Sequence, residues 1–464
     1  MKIFFVTFGC RLNQAETEKL KAEAAHLGHQ FSTSESEADM VIINSCSVTD
    51  KAQREADKYL QKFRAKYPDK HLIITGCGAR DEHKKYAAVI KNDSKSDLFS
   101  IIAGASSCHS EYSEAEPRNP LKNYRTQDGE RDFSARRSAK LVEMTGSGRT
   151  RLMYKVQDGC DNFCAYCIVP YLRGRERSFP ADEIIRDIQK AEKAGYKEVV
   201  LCGVNVGKDS VPVNTTRFDL AQGRTLQNGN QDLAGLMGLI LKETKIPRIR
   251  LSSINPDDFT NELIDLWAKN ERLCPHFHIS LQSGSDTILK RMGRKYTTQD
   301  YADLVKKLRS KIPDVQITTD VIVGFPGETE EEFAETVEFV REINFLKVHV
   351  FRYSPREGTR AAKMRDQISD KIKKERSVEM QGLESEIRQS ILKQYIGKEV
   401  EVLFEQARPL PAPHFEIVRG SSSGLTRGSI YSGFTSNYIK VSKKSKKDLT
   451  NQLIRYKIEE IIKD

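Results

Sequence analysis

The sequence predicts an α/β protein of three parts: an N-terminal parallel-sheet domain, a central partial (β/α) barrel and a small C-terminal β-barrel. Three observations point there. Strand-like and helix-like runs alternate through residues 1–100, alternate again through 150–380, and give way after residue 396 to short alternating strands. At 464 residues the chain also exceeds what one hydrophobic core supports, so two to three domains are expected.

Over residues 1–105, Lys2–Phe8, Met40–Asn44 and His71–Thr75 read as strands, with Glu16–Leu27 and Ala52–Tyr67 as the helices between them. Residues 106–145 are polar and aperiodic, and read as a linker. From 146 to 380, strands are expected at Leu152–Val156, Glu198–Leu201, Arg248–Ser252, His276–Leu281, Gln316–Val323 and Lys347–Arg352. Helices such as Ala181–Ala194, Thr298–Lys311 and Glu330–Ile343 fall between them. In such a barrel the site gathers at the C-terminal ends of the strands. A charged helix follows from Ser369 to about Tyr395. Over 396–464, Lys398–Phe404, Tyr438–Val441 and Leu453–Ile458 read as strands, separated by the Gly/Ser/Pro-rich stretch Ala407–Gly433, to which no role is assigned.

No run approaches the ~18 consecutive apolar residues of a membrane span, and Phe4–Phe8 is too short for a signal peptide, so a cytoplasmic protein is expected. The net charge of +10 suits a polyanionic partner and also many ordinary proteins. Nine cysteines in a reducing compartment point to metal ligation or redox chemistry instead of disulfides. Six of them form two patterns. Cys108, Cys202 and Cys274 lie outside both and read as small buried residues without chemistry.

The first pattern is Cys160-Asp161-Asn162-Phe163-Cys164-Ala165-Tyr166-Cys167, three thiols on one loop after a strand. A 4Fe-4S cluster has four irons, so three protein ligands leave one open to bind a substrate. Zinc is the alternative, but it needs a fourth ligand, and the next histidine is His276. The spacing, with Tyr166 before the last cysteine, resembles the radical S-adenosylmethionine superfamily. That resemblance implies that the open iron chelates S-adenosylmethionine and that the cofactor carries the hard chemistry. Later segments add to it: Leu201–Asn205, Ser252-Ser253, Gln282–Ser285 and Thr319–Glu328. Tyr166, Asn205, Ser253, Gln282 and Asp320 are therefore candidate cofactor-binding residues, with Gly324 and Gly327 expected to let backbone approach the adenosyl group. No side chain beyond the cluster ligands is assigned as catalytic.

The second pattern places Cys10, Cys46 and Cys77 each just past a strand-like run. In a parallel sheet the carboxyl ends of strands share one edge, so distant residues converge there. The combination resembles the methylthiotransferase family, in which an N-terminal domain carries an auxiliary 4Fe-4S cluster, a radical domain follows, and an RNA-binding barrel called TRAM ends the chain. Gly397–Leu403 and Gly433–Tyr438 match that third part. The resemblance implies two 4Fe-4S clusters and S-adenosylmethionine in two roles, radical source and methyl donor. It also implies a tRNA anticodon stem-loop as substrate, an electron donor such as flavodoxin or ferredoxin, a sulfur source and a monomer.

Among branches, Gly9–Asn13, Ser47–Ala52, Gln157–Cys160, Gly203–Gly207, Leu251–Ile254 and Thr318–Asp320 look most like enzymes that modify N6-threonylcarbamoyladenosine at position 37. The alternatives are N6-isopentenyladenosine, a ribosomal-protein aspartate, or a redox-sensing RNA-binding protein without turnover. A threonylcarbamoyl group brings a carboxylate, for which Arg173, Arg175 and Arg177 are candidate partners. In the C-terminal part 12 Lys and Arg outnumber 8 Asp and Glu from Ile396 onward, with Lys443, Lys444, Lys446 and Lys447 in one run. That run suits phosphate. Tyr431, Phe434 and Tyr438 are read either as base-stacking groups or as barrel core.

Overall fold

The computed structural model describes residues 1–48, 50–92, 94–95, 98–99, 150–208, 211–213, 218–219, 224–225, 229–409 and 429–459. The expected linker 106–145, with Cys108, lies outside them.

The N-terminal domain is a parallel sheet of β1 (Lys2–Thr7), β2 (Gln30–Phe31), β3 (Met40–Asn44), β4 (His71–Thr75) and β5 (Ala88–Val89), in the order β2-β1-β3-β4-β5. The central strands MVIIN and HLIIT are apolar on both faces because both faces are covered. Ile42 and Ile73 pack to one side, while Val41, Ile43 and Ile74 pack to the other. Helix α1 (Arg11–His26) begins five positions before the expected Glu16, directly after Cys10, and α2 (Asp50–Lys66) follows β3. The early start hides in a polar stretch: Leu12 is buried against Val200 and Cys202 of the central domain, which local periodicity does not show.

The central domain starts with β6 (Arg151–Lys155), a two-stranded ribbon β7 (Gln157–Asp158) and β8 (Arg177–Ser178) around the short helix α3 (Val169–Arg173), then α4 (Ala181–Lys193) and β9 (Glu198–Cys202). Two small antiparallel pairs follow, β10 (Val211–Val213) with β13 (Gly229–Gln231) and β11 (Phe218–Asp219) with β12 (Arg224–Thr225). Helix α5 (Leu233–Glu243) leads to β14 (Arg248–Leu251) and β15 (Ser253–Ile254). Then come α6 (Asn261–Lys269), β16 (His276–Ile279), α7 (Asp286–Met292), α8 (Thr298–Lys311), β17 (Gln316–Val323), α9 (Glu330–Ile343) and β18 (Lys347–Arg352). The sheets β14-β9-β6 and β15-β16-β17-β18 are parallel throughout and joined where one chain segment, 248–254, serves both. They form one curved wall. Alternate residues such as Leu152, Val199, Ile249, Phe277 and Ile317 join the core under the helices. The residues between them, including Met153, Val200, Arg250, His278, Asp320 and His349, face the inside.

Helix α10 (Asp370–Lys393) runs along the last barrel strand through Met380, Leu383 and Ile387, in the same core. The C-terminal domain is an antiparallel half-barrel of β19 (Glu399–Pro409), β20 (Ser429–Thr435), β21 (Lys440–Ser445) and β22 (Leu453–Lys457), ordered β21-β20-β19-β22. Two expectations change here. Strand β20 lies largely inside the stretch read as irregular, because its Ser/Gly-rich sequence carries little strand signal while cross-strand pairing with β19 supplies the stability. Tyr438 is in the turn before β21, not in a strand, with a left-handed backbone (φ 74°). Among the described residues no helix is long and apolar enough to cross a membrane.

Candidate active site between the domains

Cys10, Cys46 and Cys77 follow β1, β3 and β4, which are neighbours in the sheet, so their thiols gather at one edge. Gly9 makes the approach possible. Its backbone is left-handed (φ 126°), and a β-carbon there would lie 2.2 Å from Cys46 Cβ. Asn13 and Asn44 brace the edge. Asn13 Oδ1 accepts from the Cys10 thiol at 3.1 Å, Asn13 Nδ2 donates to the Ser45 carbonyl, and Asn44 Nδ2 donates to the Asn13 carbonyl at 2.8 Å. Cys46 and Cys77 are buried, while Cys10 is exposed. Cys10 is brought down to about 6, chiefly by the hydrogen bond with the Cys46 thiol beside it. Burial pushes Cys77 up, and Arg173 opposes it.

The second set sits on the loop between β7 and β8. Gly159 starts it in a left-handed conformation (φ 73°), with its Cα so close to the returning chain that a β-carbon would lie 1.9 Å from the Arg175 carbonyl oxygen. Cys160 N–H donates to Gly174 O at 3.2 Å and Cys167 N–H to Cys164 O at 3.0 Å, closing the loop on itself. Ala165 ties it to the barrel, donating to Met292 O and accepting from Ala361 N–H, both at 2.8 Å. Cys164 Sγ accepts from Arg294 Nη1 at 3.3 Å. Burial pushes Cys167 up to about 12. Among the described residues no three His, Cys, Asp or Glu side chains stand close enough to share a single metal ion. Three thiols on one loop suit a cluster whose irons each take one thiol and leave a fourth iron open.

The other candidate residues divide. The Tyr166 ring packs with Ile288, Met292, Phe325 and Tyr353 directly beside the cysteine loop. Asn205 is buried at the end of β9, and its Oδ1 accepts from Asn255 Nδ2 at 2.6 Å. Asn255 in turn accepts from Arg294 Nη2 at 2.6 Å, so Asn205 joins the cysteine loop through two residues the sequence reading missed. Their signal was faint: Asn255 precedes a proline and Arg294 follows a helix-ending glycine. Ser253 is half-buried on β15. Gln282 holds a left-handed backbone (φ 74°), with its N–H on Asp320 O at 2.8 Å and its own O accepting from Ile322 N–H at 2.9 Å. Asp320 pairs with His278 at 3.2 Å. Gly324 and Gly327 are both left-handed, but the space beside them is taken by Lys373 and Arg291, so their Cα atoms face side chains of this chain.

Comparison with known proteins follows the same division of the chain. A family model described as the radical SAM superfamily matches residues 154–340, and one described as uncharacterized protein family UPF0004 matches residues 2–98. The threonylcarbamoyladenosine tRNA methylthiotransferase MtaB of Bacillus subtilis is 32% identical over 98% of this chain and 93% of its own length. The chain belongs to the radical S-adenosylmethionine tRNA methylthiotransferase family. A protein of the same name from Thermotoga maritima is 35% identical over 86% of this chain and 85% of its own. A tRNA-2-methylthio-N(6)-dimethylallyladenosine synthase from Bacillus velezensis is 33% identical over 99% and 84%. The radical S-adenosylmethionine methyltransferase TsrM of Kitasatospora setae, 15% identical, shares the fold with a TM-score of 0.51 over 78% of this chain and 74% of its own. Family membership makes this a sulfur-transferring, tRNA-modifying enzyme that uses S-adenosylmethionine and 4Fe-4S clusters.

In this methylthiotransferase the arginines after the cysteine loop each have an acidic partner within the chain. Arg173 is buried and binds Glu16 Oε1 at 2.8 Å and Asp158 Oδ1 at 2.9 Å, linking the two cysteine-bearing domains. Lys95 and Lys155 complete the cluster, bonding Glu16 at 2.6 and 2.9 Å. Burial alone would raise the Glu16 pKa, but Lys95, Lys155 and Arg173 hold it well below the usual carboxylate range. Arg177 bonds Asp158 at 2.8 Å, and Arg175 pairs with Asp161 at the surface. The candidate stacking aromatics are also occupied. Tyr431 is buried, and Tyr438 stacks on His276 at 4.4 Å and on Phe434 at 4.8 Å, plugging the barrel floor. Lys444, Lys446 and Lys447 remain exposed. Cys202 and Cys274 are buried.

Proposed function

We propose that this enzyme acts on N6-threonylcarbamoyladenosine at position 37 of tRNA. It replaces the hydrogen on adenine C2 with a methylthio group and yields 2-methylthio-N6-threonylcarbamoyladenosine. Relatives named for this nucleoside and for dimethylallyladenosine are equally similar, so identity does not choose between them. The observation that carries the choice is the polar inner wall of the barrel. His278, Thr318, Asp320 and His349 line it, and an arm with a urea, a hydroxyl and a carboxylate suits such a wall. An isopentenyl arm would displace water from these groups and offer no hydrogen bond in return.

In this reading Cys160, Cys164 and Cys167 hold one cluster and Cys10, Cys46 and Cys77 the other. Tyr166, Asn205, Ser253, Gln282 and Asp320 surround S-adenosylmethionine, and Gly324 and Gly327 shape the loop beside it. When bound, the clusters and S-adenosylmethionine supply the radical chemistry, the sulfur and the methyl group. The chain's own part is placement. Arg294 donates to Cys164 and through Asn255 holds Asn205, so one side chain sets the cysteine loop against the barrel rim. The bond from Cys10 to Asn13 sets the other thiol set against α1, whose Leu12 packs on Val200 and Cys202.

The test is mass spectrometry of nucleosides from tRNA of cells lacking and re-expressing the protein. The methylthio form of threonylcarbamoyladenosine is expected only with the protein present. Appearance of methylthio-isopentenyladenosine in its place would move the substrate.

A further inference from the structure

Arg11, the first residue of α1, reaches away from its own domain. Its Nη2 donates to Tyr438 Oη at 2.5 Å, and its guanidinium lies 5.2 Å from the centre of that ring. Three other arginines surround the same floor, and each has an acid. Arg151 pairs with Glu405, Arg248 with Glu401 at 2.9 Å, and Arg250 with Glu198 at 2.7 Å. Among the described residues no carboxylate lies within ion-pair distance of Arg11. Its charge is nonetheless felt across the interior, where it lowers the Asp320 carboxyl and the His349 imidazole, in both cases as a smaller contribution than burial and nearer groups.

The inner wall of the barrel is partly accessible. Asp320 lies mid-strand on the inner face of β17, paired with His349 of β18 on one edge and bonded by the Gln282 N–H on the other, yet its side chain is 27% exposed. His349, next to it on β18, is exposed as well. Exposure in the middle of an interior wall marks a hollow, not an outer surface. A half-buried guanidinium without a counter-charge is a ready partner for an incoming anion. A guanidinium also matches a carboxylate with two parallel N–H···O bonds.

We propose that Arg11 receives the terminal carboxylate of the substrate's amino-acid arm, and that it thereby sets nucleoside specificity. This rests on the threonylcarbamoyl reading. The arm enters past His349 and Asp320, and its carboxylate meets Arg11 above Tyr438, with Arg173 and Arg177 already bound to Glu16 and Asp158.

The experiment uses the reconstituted enzyme and three anticodon stem-loop RNAs. One carries threonylcarbamoyladenosine, the second its methyl ester, and the third isopentenyladenosine. Binding by fluorescence anisotropy and kcat/KM are measured for wild type, Arg11→Gln and Arg11→Lys, with the iron content of each preparation. For wild type, esterification is expected to cost about a hundredfold in both quantities. Arg11→Gln is expected to lose a similar factor on the free acid and to bind acid and ester alike, with Arg11→Lys recovering part of the discrimination. Equal use of acid and ester by wild type would overturn the proposal, an outcome that needs no variant. Undiminished discrimination by Arg11→Gln would overturn it too. Wild type that ignores the first RNA and modifies the third would instead sink the substrate reading.

Discussion

The two cysteine sets reach the same junction by opposite routes. Cys160, Cys164 and Cys167 are local: one loop, started by Gly159 and closed by its own backbone hydrogen bonds, holds all three. Cys10, Cys46 and Cys77 span 67 positions of sequence and meet only because β1, β3 and β4 end side by side. A local set depends on loop closure, so it tolerates domain movement. A convergent set depends on sheet register and on whatever keeps its domain in place. Arg173 connects the two cases, since it ends the helix after the first set and neutralises a carboxylate on the helix after the second.

The largest expected effect comes from breaking the local set. Cys160→Ala should abolish S-adenosylmethionine cleavage and product formation while leaving the iron of the N-terminal set, read by chromatography of cleavage products and by iron analysis. Cys77→Ala should do the reverse, keeping cleavage and losing methylthiolation. A variant that lost both would show the two sets to be interdependent.

Next in size is the bridge. Arg173→Ala removes one of the two cations that the buried Glu16 and Asp158 share, Lys155 being the other, and is expected to cost about 3 kcal/mol, seen as a lowered thermal midpoint. A change within ~0.5 kcal/mol would mean that Lys95 and Lys155 suffice.

The smallest effect sharpens the same contact through pH. The Glu16 carboxyl is depressed in the folded protein, so its contribution to stability is full above its ordinary pKa of about 4.5 and is lost as pH falls from there through the depressed value. Glu16→Gln should therefore be less stable than wild type at neutral pH, with a gap that narrows on acidification below about 4.5. Denaturation at stepped pH would measure it, and a pH-independent gap would assign the loss to packing.

Much of this was legible in one dimension. The apolar runs MVIIN and HLIIT, the alternation of strands with amphipathic helices, and the Cys-x3-Cys-x2-Cys spacing are local patterns, and burial period and ligand spacing are written residue by residue. Residues whose partners are far along the chain were not legible. The sequence reading offered Arg173 and Arg177 to the substrate, but Glu16 and Asp158 hold them. It left Tyr438 open to bases or core, and the fold stacks it on His276 across a domain boundary. Arg294 and Asn255 join the site through contacts 130 and 50 positions away. By itself, then, the sequence determined which elements form and which thiols are available, because those follow from short-range periodicity and backbone chemistry. Only the tertiary structure decided which charges are spent and which are free, because an ion pair depends on distance in space and on the water removed around it.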